Sequence, residues 1–114
     1  MTSEIVSFNE WQKLDLRVGQ IEEIEEIEGA DKLYKLTVDA GEEIGKRTIC
    51  AGIKLYFSKE ELKDRKIVIF VNLDPRMMRG IESQGMLLAA GSKEDDKIFL
   101  LSVDKDAPNG SKIS

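Results

Sequence analysis

Residues 33–40, LYKLTVDA, alternate without a break: Tyr34, Leu36 and Val38 share one face, Lys35, Thr37 and Asp39 the other. A period of two belongs to a half-buried strand. Similar short runs recur along the chain. Leu14, Leu16 and Val18 alternate, and Ile21, Ile24 and Ile27 follow at spacing three, which a helix would share. β-Branched isoleucine favours the strand, and Gly19 permits a bulge that shifts the phase. Residues 14–29 are therefore expected to form one long, bent strand. Lys46 to Ala51 should pair with 33–40 as a hairpin across Gly41-Glu42-Glu43. Residues 66–73, KIVIFVNL, are almost continuously apolar and read as a central strand, which Asn72-Leu73-Asp74-Pro75 ends because proline stops sheet pairing. Met86–Ala90 and Ile98–Val103 read as two further strands, and the tail DAPNGSKIS as turns.

Helix signals are few. Ser7-Phe8-Asn9-Glu10 has capping-box spacing and predicts a short helix to about Lys13, with Trp11 and Leu14 on its buried side. A second short helix is expected from Ser58, between the third and fourth strands. With 114 residues and no repeat or linker, the chain reads as a single domain, 1–114. A short-stranded sheet is best relieved of its edges by closure. Five strands with a helix between the third and fourth match the OB-fold barrel, an all-β class.

Composition narrows the chemistry. There is no histidine and only Cys50, so no Ser–His–Asp or Cys–His arrangement and no thiolate zinc site is available. An enzyme is not expected, and no cofactor or metal. A lone cysteine fits a reducing compartment, hence the cytoplasm. No apolar run reaches 18 residues, and the N-terminus MTSEIVSFNEW has no basic stretch leading into an apolar one, so neither a membrane helix nor a secretory leader is expected. The net charge of −5 argues mildly against nucleic acid. Distribution decides, however, because the acids are grouped: Glu22-Glu23, Glu25-Glu26, Glu42-Glu43, Glu60-Glu61 and Glu94-Asp95-Asp96. A basic face can survive elsewhere.

Four stretches occur in order: Asp15-Leu16-Arg17-Val18-Gly19; Gly29-Ala30-Asp31-Lys32-Leu33-Tyr34; Ala51-Gly52-Ile53; and Val71-Asn72-Leu73, Pro75-Arg76, Arg79-Gly80-Ile81, Ser83 and Gly85-Met86. Together they resemble the tRNA-binding domain family, found at the C-terminus of many methionyl-tRNA synthetases, as their beta-subunit-like appendage, and as free-standing dimeric proteins. The resemblance spans residues 8–113. It implies an OB-fold core with a C-terminal extension and a non-catalytic tRNA-binding module, a homodimer that raises the tRNA affinity of a synthetase, methionyl-tRNA synthetase being the partner it suggests.

It also implies a site. Arg76 and Arg79 would meet phosphate, for which the planar guanidinium fork is suited. Ser83 and Gln84 would bond sugar, phosphate or a base edge. Gly85 would allow close backbone approach, and Met86 would offer a soft surface to a base. Lys32, Lys35 and Arg47 would flank the same face. The tRNA elbow and the anticodon stem are both open as targets. Arg17 beside Asp15 reads as a structural pair, and Trp11 as a helix anchor or dimer contact. Segments 5–14 and 92–113 are the expected interface. A smaller branch of the same fold resembles export-related chaperones that bind unfolded peptides as dimers; Met77, Met78 and Met86 would serve that alternative, whereas the cationic set would not be needed for it.

Overall fold

Ile21, Leu36, Val38, Ile49, Ile67 and Ile69 come from four segments of the chain, and all six retain no accessible surface in one shared core. Burying such side chains contributes about 1.5–3 kcal/mol each, and it sets how the strands must meet. The structure is a computed structural model that describes residues 4–92 and 94–114. In chain order the elements are α1 (Phe8–Gln12), β1 (Leu16–Glu26), β2 (Tyr34–Asp39), α2 (Gly41–Ile44), β3 (Lys46–Ala51), α3 (Lys59–Leu62) and β4 (Lys66–Phe70). Next come β5 (Arg76–Met78), β6 (Ile81–Ser83), β7 (Met86–Leu87), β8 (Ala89–Ser92), β9 (Lys97–Leu100) and β10 (Lys112–Ile113).

The main sheet runs β3-β2-β1-β4-β7, antiparallel throughout. β1 is long enough to serve two neighbours. Its first part, Leu16 to Gln20, pairs with β4, and Gln20 to Glu26 pairs with β2. The strand bends between these partners, and its register with β2 shifts between Ile21 and Glu23. This corrects the expected bulge at Gly19. Gly19 instead answers to packing: a Cβ there would lie 2.5 Å from Val38 Cγ1. The result is a nearly closed five-strand antiparallel barrel with few short helices, the all-β OB-fold class expected from the sequence.

The short helices plug and trim the barrel. Ser58 caps α3 by accepting from the Glu61 amide while the Glu61 carboxylate accepts from Ser58 N–H, and Leu62 is thereby driven fully into the core. Gly41-Glu42-Glu43, expected as a plain turn, belongs to the single helical turn α2. The capping serine of α1 is Ser7, but α1 buries no residue. Trp11 keeps 38% of its surface exposed, against the expectation that it is buried. The C-terminal segment returns to β1, where β10 pairs with Leu16 and Arg17. Arg17 clasps it, donating to Asp15 at 2.6 Å, to Glu43 and to the Gly110 carbonyl at 3.1 Å. The Asp15 hydrogen bond, above all, holds the guanidinium in its charged form, raising its pKa further. The run 86–90, expected as one strand, divides: β7 pairs with β4, and β8 pairs with β9 in a separate two-stranded sheet.

Candidate nucleic-acid interface

β4 ends at Phe70, and Pro75, which cannot donate to a ladder and fixes its own φ, stands where the chain starts again. It restarts as a hairpin of β5 and β6. Arg76, Met77 and Met78 face Ser83, Glu82 and Ile81, leaving only Arg79 and Gly80 for the turn. Their φ values of 52° and 81° are the left-handed pair that a two-residue hairpin turn requires. Arg79 thus sits at the tip of a tight element. Met78 and Ile81 pack on a second apolar cluster built from Ile27, Ala30, Cys50 and Leu33. This packing lays the hairpin against the β1–β2 loop. Arg79 and Lys32 consequently line one groove of about 510 Å³, together with Asp31, Leu33 and Gly52. Beside it lies a notch of about 80 Å³ that includes Leu73, Asp74, Arg76, Met78 and Met86.

The remaining residues expected at the site are placed differently. Ser83 is 4% exposed, and its hydroxyl accepts from the Cys50 amide at 3.0 Å. Gln84 Oε1 accepts from the Thr48 amide at 3.0 Å, and the Gln84 amide donates to the Thr48 carbonyl at 2.7 Å. Two side chains therefore stand where a neighbouring strand's carbonyls would be, and they satisfy the outward amides of β3. Arg47 is half-buried and donates to the Val71 and Gln84 carbonyls at 3.1 and 3.2 Å. These three residues close the barrel seam. The close approach at Gly85 is to the chain itself, since a Cβ there would lie 2.6 Å from the Phe70 carbonyl oxygen. Lys35 is half-buried and lies 3.7 Å from Glu25. Met86 is 43% exposed and Met77 67%. Residue type indicated polarity at 83 and 84; only the register of the hairpin against β3 reveals its direction.

Electrostatics separate the barrel into two regions. The carboxylates on the second half of β1 answer the lysines around them: Glu22 takes Lys46 at 3.0 Å, and Glu26 takes Lys54 at 2.8 Å and Lys59 at 3.8 Å. Hydrogen bonding to Lys54 holds Glu26 below the ordinary glutamate range, and the same bond raises Lys54. By contrast, among the described residues no carboxylate lies within 4.0 Å of Lys32, Arg76 or Arg79. Their charge is available to a ligand. Among the described residues no cluster of three or more metal-ligating side chains occurs, and no helix is long and apolar enough to cross a membrane.

The family model described as "Putative tRNA binding domain" matches residues 16–112. Methionine–tRNA ligase of Pyrococcus furiosus is 50% identical over 110 residues, which cover 96% of this chain and 15% of that protein. The corresponding ligase of Caldanaerobacter subterraneus is 50% identical over 111 residues, covering 97% of this chain and 17% of the ligase. The chain thus spans about a sixth of the curated relatives it matches. Among solved structures, a MetRS-related protein from Pyrococcus horikoshii superposes with a TM-score of 0.89 at 37% identity, covering 98% of this chain and all of that one. A CsaA chaperone protein from Picrophilus torridus gives a TM-score of 0.87 at 32% identity, covering 96% and 100%. With a family match that runs from β1 to β10 and relatives at half identity, the chain belongs to the tRNA-binding domain family.

Proposed function

We propose that this chain is a non-catalytic module that binds tRNA and raises the tRNA affinity of a synthetase, methionyl-tRNA synthetase being the partner that the relatives favour. The observation that carries the reading is the meeting of Lys32 with Arg79 across one groove, beside Arg76, while Lys35, Lys46, Lys54 and Lys59 pair with glutamates of β1. Arg76, Arg79 and Lys32 take phosphate, with Lys35 adding charge that Glu25 partly screens. Met86 meets a base. Arg47, Ser83 and Gln84 hold the frame on which these groups stand. The module works in the cytoplasm, where tRNA is charged.

A homodimer belongs to the same reading. Phe8, Trp11, Leu14 and Ile113 line an open apolar groove of about 490 Å³, drawn from the two segments expected at the interface. Lys93, in the second segment, lies outside the described residues. Pairing two RNA faces in one particle would let avidity compensate for weak single sites. Sedimentation of the wild type and Trp11→Glu reads this directly, with the variant expected to be monomeric.

The test of function sets two ligands side by side. Mobility shift with bulk tRNA should show binding at low salt that falls at least tenfold in Arg76→Ala/Arg79→Ala, about 1.4 kcal/mol or more for two lost phosphate contacts. Suppression of aggregation of a denatured protein should be absent. Robust suppression without tRNA binding supports the peptide-binding reading that the CsaA likeness and exposed Met77 suggest.

A further inference from the structure

Asp74 poses a problem for a surface that binds phosphate. It lines the same notch as Arg76, Met78 and Met86, it is exposed, and among the described residues it takes no ion pair. A carboxylate left free beside a polyanion repels it, unless the carboxylate accepts hydrogen bonds from the bases. The backbone also holds Asp74 in place. Pro75 restricts the preceding residue to extended conformations. Asn72, two residues before, is fixed to the N-terminal segment: its Oδ1 accepts from the Asp15 amide at 2.8 Å, and its Nδ2 donates to the Lys13 carbonyl at 2.6 Å. Arg76, two residues after, begins β5.

From this we infer that the notch reads one unstacked base by its Watson–Crick edge, with Asp74 as the acceptor and guanine as the preferred base. The inference rests on the RNA-binding reading above and adds selectivity to it. At about 80 Å³ the notch is small, and it admits the edge of a planar ring. Single-stranded RNA exposes such edges, whereas a duplex hides them. Guanine alone among the four presents two adjacent N–H donors, N1–H and the N2 amino group, which suit the two oxygens of one carboxylate. Adenine and cytosine each offer one amino group beside a ring nitrogen that would repel Asp74. Uracil's one N–H stands between two carbonyls. Leu73, Met78 and Met86 give the ring apolar walls, and Arg76 is placed for the phosphate of the same nucleotide.

The test uses the full chain with four single-stranded oligouridine heptamers that carry guanosine, inosine, adenosine or cytidine at the centre, and tRNA as a control. Inosine lacks only the N2 amino group. The guanosine heptamer should bind about tenfold tighter than the inosine one, and Asp74→Asn should abolish the difference, because an amide offers one acceptor and one donor. Equal affinity for the heptamers overturns the inference. So does binding of tRNA with none of them bound, or a uniform gain for all four in Asp74→Ala, which would make Asp74 a repelling charge only. Failure of the wild type to bind tRNA strikes the proposed function itself, and the base notch with it.

Discussion

Gly19 shows how one residue can be read correctly as necessary and wrongly as to why. A glycine inside a strand pattern signals either a bulge or a close approach, and the sequence does not say which. Here the neighbour is Val38, whose branched, fully buried side chain cannot withdraw, and Ile69 Cδ1 would lie 3.1 Å from the added Cβ. Gly19→Ala should therefore destabilise the barrel by about 1–3 kcal/mol through overpacking, as a urea melt would show. Ordinary stability in that variant would mean that the β1–β2 face is loose enough to absorb a methyl group. Asp15 and Arg17 were legible as a pair because opposite charges stand two residues apart in the sequence. Their contacts with Glu43 and Gly110 depend on chain closure and were not.

At the scale of elements, the β5–β6 hairpin and its seam decide the site. Ser83→Ala would leave the Cys50 amide buried without an acceptor, a loss of about 1–3 kcal/mol. Thermal melting should register it. The tRNA affinity of this variant should fall because the hairpin shifts, while the dependence of binding on salt stays that of the wild type, since no phosphate contact is removed. A reduced salt dependence would instead make Ser83 a direct contact. The strand at 33–40 was readable because six or more residues alternate, and 46–51 as its hairpin partner across the short turn at Gly41-Glu42-Glu43. The hairpin was not: its strands have three residues each, and its turn places an arginine, not a glycine, at the first left-handed position. Ser83 and Gln84 showed their chemistry in the sequence but not their partners, which lie more than thirty residues away on β3.

At the scale of the molecule, a net charge of −5 is compatible with RNA binding because the charge is partitioned. The grouping of acids visible in the sequence becomes, in the barrel, a β1 region where Lys46, Lys54 and Lys59 pair with glutamates, whereas Lys32, Arg76 and Arg79 at the β1–β2 loop and the hairpin meet no carboxylate within 4.0 Å among the described residues. That partition is the central claim, and the salt dependence of tRNA binding tests it most directly. Each phosphate contact releases counterions and adds about 0.7–0.9 to the slope of log K against log salt. The slope of Lys32→Ala/Arg76→Ala/Arg79→Ala should be lower than that of the wild type by about 2–3, with the fold intact by circular dichroism. A slope equal to the wild type's would contradict the claim and place the phosphate contacts on another face of the barrel.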